Sequence, residues 1–516
     1  MTEENNKDNN KKKDKKKGLS FPSAFTVLFI VLLIAVVLTY IVPAGSYETI
    51  SYVGEDETFI IEDNQGGEEV VPATQETLDD LNIVMDLEKF EDGSITGEVS
   101  IPDTYEEIEQ QPQGPLDFLM ASVQGAIDTA DIMIFVLIIG GIIGLLNETG
   151  AFDAGMAALS RKTQGRQFIV VLVVTILTAI GGTTFGMAEE TIAFYPILLP
   201  IFLSAGYDAI VGIAAIYLGA AIGQMFSTVN PFSIVIASDA AGITFREGLG
   251  FRLVGLVLAT AIVILYIYRY AKKVRKDPSN SIISGDKEKI DQKFLEGYDP
   301  DDVVDFTWQR VLMLVIFLGA FAVMVWGVAS QGWWFGEMSG LFLTVALIIM
   351  FLSGLGEKKA VSTFIDGASD LIGVVLIIGV ARGVNIIMDS GMISDTLLFY
   401  ASNIISNMGK GLFSIVQLIV FTVLGFFIPS SSGLATLSMP IMAPLADTVN
   451  LSRSVVVTAY NWGHGLIQFI TPTGLILATL EFVDVTYDKW LKFVLPLMAI
   501  IAVFAAIMLG VGSFFL

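Results

Sequence analysis

Long apolar runs joined by short polar or charged connections fill most of this chain. Most of the runs come near the ~20 residues that an α-helix needs to cross a hydrocarbon layer. They fall at 24–42, 132–146, 168–204, 209–237, 251–268, 311–329, 338–352, 371–388, 412–446 and 454–479. Four of them are interrupted. Runs 168–204 and 412–446 are too long for one crossing, and contain Gly181-Gly182-Thr183-Thr184-Phe185-Gly186 and Pro429-Ser430-Ser431-Ser432-Gly433. This predicts two hairpins that enter the membrane, turn at these residues and leave on the side they entered. Runs 209–237 and 454–479 carry Ser227-Thr228-Val229-Asn230-Pro231 and Thr471-Pro472-Thr473-Gly474, and predict helices broken at mid-span. Lipid offers no partner to the backbone groups freed at such breaks, so this backbone must line an enclosed or water-filled cavity. Two matching pairs in the two halves point to a secondary transporter with its site near the midplane.

The halves also agree in detail. Gly125-Ala126-Ile127-Asp128 recurs as Gly367-Ala368-Ser369-Asp370, each followed by an apolar helix ending at Thr149-Gly150 or Ser390-Gly391, and Pro196 and Pro200 recur as Pro440 and Pro444. Lys/Arg clusters mark the cytoplasmic side: the tract 11–17, Arg161, Lys162 and Arg166, the run 269–276, and Lys358 with Lys359. Counting crossings then puts Gly125 outside and Gly367 inside. The expected fold is therefore an all-α polytopic membrane protein of two inverted repeats, each with a re-entrant hairpin and a broken transmembrane helix, plus a small acidic extracytoplasmic insert. The expected division is 1–20 cytoplasmic basic tail, 21–44 first transmembrane span, 45–116 insert, 117–270 first repeat, 271–306 cytoplasmic linker and 307–516 second repeat. The first apolar run follows a basic tract, but it is too long for a signal-peptide core and lacks a small-x-small cleavage site, so it reads as a retained span.

Composition supports a membrane protein rather than a large soluble core: 53% of the residues are hydrophobic and the mean hydropathy is +0.69. The absence of cysteine and the single histidine exclude disulfides, Cys-ligated metals and His-rich metal sites, so no metal centre is expected. The net charge of -24 is concentrated: between Ser46 and Asp117 stand 21 Asp/Glu and one Lys. Alternating stretches such as Thr58-Phe59-Ile60-Ile61, punctuated by Gly66-Gly67 and Asp92-Gly93, suggest a small β-containing unit, with disorder as the competing expectation. Such an acidic face keeps a surface hydrated, or concentrates cations.

The candidate chemistry lies at the breaks. Half-helix N-termini present N–H groups and partial positive charge suited to a carboxylate, and C-termini present carbonyls suited to Na⁺. Thr183, Thr184, Ser227, Thr228 and Asn230 form one candidate cluster, and Ser430, Ser431, Ser432, Thr471 and Thr473 the other. Of these, Ser227, Thr228, Asn230 and Thr471 are the candidates for ion coupling. Taken singly, each Ser or Thr serves equally well to cap a helix. Ionisable groups at membrane depth cost about 2.5–3.5 kcal/mol to insert, so each needs a partner or a cavity. Glu189 and Glu190 could meet a substrate cation, relay a proton or pair with Arg382. His464, beside Asn461 and Trp462, reads first as a hydrogen-bonded structural group, and Asp128 and Asp370 as caps that open their helices. No nucleophile, base or metal set for an enzyme is visible, and no nucleic-acid partner is expected.

Phe21-Pro22-Ser23-Ala24-Phe25 leading to Ile41-Val42-Pro43-Ala44-Gly45, the blocks 181–200, 224–231 and 429–444, and Asn461-Trp462-Gly463-His464 resemble the YfcC-type basic amino acid antiporter group. That group lies within the anaerobic dicarboxylate carrier family of the ion transporter superfamily. The resemblance spans nearly all of the chain except the acidic insert. It implies a homodimer with a scaffold and a mobile transport domain in elevator-like movement; the expected location is a prokaryotic cell membrane, with the N-terminus placed in the cytoplasm by the Lys/Arg clusters. Two substrate readings stay open: an arginine/ornithine-like exchanger, which is favoured, and a Na⁺- or H⁺-coupled carrier of dicarboxylates or other small anions. Beyond a small-molecule substrate, lipid and such a coupling ion, no cofactor is expected.

Overall fold

The computed structural model describes residues 22–516, except 55–56, 65, 94, 96, 153, 156–166, 296–306 and 406–407. The basic tail, the Arg161–Arg166 cluster and the end of the linker lie outside the described residues. Eight described helices are long and apolar enough to cross a membrane: Ala24–Ile41, Ala130–Glu148, Phe168–Phe185, Leu249–Lys276, Trp308–Val328, Phe335–Ser353, Ile372–Ser390 and Tyr487–Phe515. Their outward side chains are apolar; Leu33, Ile34, Leu177, Leu347 and Phe351 are half or more exposed, as befits helices solvated by hydrocarbon.

The same succession of elements occurs twice. A helix pair (Pro115–Asp128 with Ala130–Glu148, then Glu357–Ser369 with Ile372–Ser390) is followed by a hairpin, an interrupted helix and a long closing helix. Glycines set how the pairs cross. Gly383 and Gly379 lie against Ala121 and Ala126, and Gly144 and Gly140 against Thr363 and Gly367. Contact positions run in opposite directions along the paired helices, so Pro115–Asp128 is antiparallel to Ile372–Ser390, and Ala130–Glu148 to Glu357–Ser369. Side chains are absent where the backbones touch: a Cβ on Gly144 would stand 2.8 Å from the Thr363 carbonyl oxygen.

Each hairpin packs along the first half of its own interrupted helix. Gly219 and Gly223 meet Thr175 and Ala179, and Gly463 meets Leu418 while Gly425 meets Ile467, a parallel arrangement in both halves. The first hairpin descends through Phe168–Phe185, turns at Gly186 in the left-handed conformation (φ 73°), and returns through Glu189–Phe194 and Tyr195–Ser204. The turn is thus later than expected, because Gly181 and Gly182 lie inside the descending helix. The second hairpin turns at Ile428–Ser430 between Lys410–Phe427 and Ser431–Thr448. The interruptions fall at 226–230 and 468–475, as the sequence predicted.

The acidic insert is folded. Its core is a four-stranded antiparallel sheet in the spatial order 68–72, 58–62, 49–53, 99–100. Phe59, Leu78 and Phe90 are buried beneath it. It docks on the helix Ser394–Ile405: Tyr105 stacks on Phe399 at 4.1 Å and the Tyr47 N–H donates to Asp395 at 2.9 Å. Burial pushes the Asp395 carboxyl up to about 6, against the bond from Tyr47 that lowers it. On the opposite face the linker is also ordered where described. The helix Leu249–Lys276 continues through position 270, and the helix that follows the insert begins at Pro115. Lys289 and Lys293 then meet Asp484 at 2.8 and 3.0 Å, and Ser281 Oγ donates to Asp208 at 2.5 Å, so the linker ties the interrupted helices of both halves together.

Candidate functional site

The interruptions face one another, and side chains satisfy the backbone they release. At the first, Asn461 Nδ2 donates to the carbonyls of Gln224 (3.0 Å) and Met225 (2.7 Å). At the second, the consecutive carbonyls of Gln468, Phe469 and Ile470 accept from Tyr217 Oη, Trp490 Nε1 and Tyr487 Oη. Each of these carbonyls has a side-chain donor, which is how non-helical backbone survives at this depth. Thr183, Ser227, Thr228 and Asn230 knit the first interruption to the first hairpin. Thr183 Oγ1 accepts from the Thr228 N–H (2.9 Å), Ser227 Oγ accepts from the Asn230 N–H (3.1 Å), and Asn230 Oδ1 caps the Phe232 N–H (2.9 Å).

Between the two turns and the two interruptions lies a cavity of about 480 Å³, within the usual size of a small-molecule site. Of the residues predicted to form the site, Glu189, Glu190, Asn230, Ser430, Ser431, Ser432, Thr473, Arg382 and His464 line it. Thr183, Ser227, Thr228 and Thr471 are buried beside it but do not line it, and Thr184 faces outward, bonded to the Ile180 carbonyl. Ser430 Oγ accepts from the Gly433 N–H (3.1 Å) and caps Ser431–Thr448, so the N-terminus of this helix opens on the cavity. Ser431 Oγ donates to the Phe232 carbonyl at 3.0 Å, which fastens the second hairpin to the first interrupted helix.

Two expectations are corrected. Arg382 does not pair with Glu189 or Glu190; its carboxylate neighbour is Asp128, at 3.8 Å. Nor does Asp128 open a helix. It is the last residue of Pro115–Asp128, where the chain bends into Ala130–Glu148, and it accepts from Gln124. His464 donates from Nε2 to the Pro429 carbonyl at 2.9 Å, the hydrogen-bonded role its neighbours suggested.

Sequence reasoning missed Asp131, Gln224, Gln468, Trp333 and Trp334, all of which line the cavity. Asp131 was legible, since an acid at the head of an apolar run is costly unless it faces a cavity. Trp333 and Trp334 sit between two spans, where aromatic residues ordinarily mark the interface. The cavity is consequently acidic: Asp128, Asp131, Glu189 and Glu190 against the one guanidinium of Arg382. Glu190 is 7% exposed, and its carboxylate accepts from the Ala188 N–H at 2.9 Å.

A helical membrane protein with two hairpins, two interrupted helices and a central polar cavity is a multi-pass membrane carrier in its architecture. The chain belongs to the C4-dicarboxylate anaerobic carrier family, which matches residues 21–513. It is 49% identical over 474 residues to an uncharacterized protein of Haemophilus influenzae, covering 92% of this chain and 93% of that one. It is 32% identical over 388 residues to the Escherichia coli protein named "Putative basic amino acid antiporter YfcC", covering 73% and 76%. Among solved structures, MtrF of Neisseria gonorrhoeae, described within a class of antimetabolite efflux pumps, matches over 96% of both chains at 15% identity and a TM-score of 0.38. The YdaH transporter of Alcanivorax borkumensis matches over 95% of this chain and 98% of its own, at 14% identity and a TM-score of 0.36. The family is one of carriers, so the chain is a transporter and not an enzyme.

Proposed function

We propose that the protein exchanges cationic amino acids of the arginine and ornithine kind across a prokaryotic cell membrane by alternating access. The observation that carries this reading is the charge of the cavity, in which four carboxylates stand against one guanidinium. A zwitterion with an extra cation complements that lining; a dicarboxylate does not. In this reading Glu189 and Glu190 take the side-chain cation, and the N-terminus at Ser430–Ser432, with Asn230 and Thr473, orients the polar groups. Ser227, Thr228, Asn230 and Thr471 would then serve a coupling ion or simply hold the hairpin. The halves act as inverted repeats, with the N-terminus in the cytoplasm, the insert outside and two chains forming a homodimer.

The second reading is a Na⁺- or H⁺-coupled carrier of dicarboxylates or other small anions. The family description, and a helix N-terminus and Arg382 lining the same cavity, favour it. Counterflow in proteoliposomes separates the two. Vesicles loaded with ornithine should take up labelled arginine without a Na⁺ gradient, whereas succinate uptake that requires inward Na⁺, with no arginine uptake, would overturn the exchanger.

A further inference from the structure

The single guanidinium of the cavity is loosely matched. Arg382 Nε stands 3.8 Å from Asp128 Oδ2, well beyond the ~2.7–2.9 Å of a charge-assisted hydrogen bond. Asp128 is engaged through its other oxygen, which accepts from Gln124 Nε2 at 2.8 Å. Asp389, two turns further along the Arg382 helix, contributes only a more distant negative charge. Among the described residues Arg382 makes no hydrogen bond, although its side chain is 39% exposed and that of Asp128 32%, both onto the cavity.

An arginine at membrane depth with a slack partner is costly to keep, unless something else completes its coordination. Its five-donor fork matches a carboxylate in bidentate fashion. The spacing to Asp128 adds a second requirement. In an α-amino acid the carboxylate and the ammonium share one carbon, so a group that receives the carboxylate needs an acid a few ångströms away for the ammonium. Asp128 is held there by Gln124 and by the tight crossing of its helix with Ile372–Ser390, where Gly383 and Gly379 abut Ala121 and Ala126.

We propose that Arg382 and Asp128 together form the receptor for the backbone of the substrate: Arg382 takes the α-carboxylate, and Asp128 the α-ammonium. Before substrate binds, each loosely neutralises the other. This assignment rests on the cationic amino acid reading and deepens it. It moves recognition of the carboxylate from the helix ends to a side-chain pair on the crossed helices, and leaves Glu189 and Glu190 to the distal cation.

The test uses three ligands titrated calorimetrically into the purified full-length protein: arginine, agmatine (no carboxylate) and 5-guanidinopentanoate (no α-ammonium). Wild type should prefer arginine to both. Arg382→Gln should weaken arginine and 5-guanidinopentanoate by roughly 10- to 100-fold, the effect of losing a hydrogen-bonded charge, and spare agmatine. Asp128→Asn should weaken arginine and agmatine and spare 5-guanidinopentanoate. Each variant is thus shown to be folded by the ligand it spares. Equal weakening of all three ligands in both variants, or no weakening of arginine, would overturn the pair as receptor. A wild type that binds succinate and none of the three would overturn the underlying substrate reading as well.

Discussion

Glu190 concentrates the residue-scale argument. Its side chain is almost wholly buried, faces a polar cavity and spends one carboxylate contact on the Ala188 N–H at the hairpin turn. Glutamine keeps an acceptor for that N–H and removes the charge. We therefore expect Glu190→Gln to reduce arginine counterflow about 10-fold or more while leaving thermal unfolding unchanged; wild-type uptake would remove Glu190 from the site. That such a residue needed a cavity was legible in the sequence, because a carboxylate just past a Gly-rich turn at membrane depth has few other fates. Its partner was not legible. Arg382 was the one cation within reach by sequence, yet the crossing of two helices hands it to Asp128 instead.

At the scale of elements, glycine is where sequence reading was least able to discriminate. Gly181 and Gly182 looked like a turn, but both are helical, and a Cβ on Gly182 would collide with the Ala220 carbonyl of the interrupted helix. A glycine used to bend the backbone and one used to bring two helices together leave the same letter in the sequence. The interruptions at 226–230 and 468–475 were legible, since Asn-Pro and Pro-Thr-Gly end helices by local chemistry alone. The donors that make those ends tolerable, Asn461, Tyr217, Trp490 and Tyr487, come from other helices and were not. The antiparallel crossing carries its own prediction. Gly144→Val should destabilise the fold by roughly 1–3 kcal/mol through overpacking against Thr363 and Gly367, read as a lowered midpoint in denaturant unfolding of the detergent-solubilised protein. An unchanged midpoint would mean that the two helices are free to separate.

The whole molecule is bridged on both faces of the helical bundle. The linker bonds to the ends of the interrupted helices on one face. On the other, Lys89, the single lysine of the acidic insert, meets the nearly buried Asp239 at 3.2 Å, at the end of the first interrupted helix. The insert also docks on Ser394–Ile405, so it spans from the crossed helices to the segments that carry the turns. In the alternating-access mechanism proposed above, these parts would move relative to each other. The chain has no cysteine, so Lys89→Cys with Asp239→Cys can be bridged cleanly by a short, reducible bis-thiosulfonate. Uptake should fall to background in the bridged protein and return on reduction, with either single variant unaffected. Full uptake in fully bridged protein would show that the insert travels with the interrupted helix.

What the sequence determined by itself is whatever local chemistry controls: the spans, the four interruptions, the acidic insert and the presence of costly charges at depth. Hydrophobic length, proline, glycine and charge each act within a few residues, so they can be read in a single chain. Only the tertiary structure decided which charges share the cavity, that Thr183, Ser227 and Thr228 brace the site from behind it, and that Arg382 faces Asp128. Those outcomes depend on where backbones far apart in sequence can touch, from Thr183 and Thr228 to Arg382 and Asp128, and that is set by the fit of whole helices against one another.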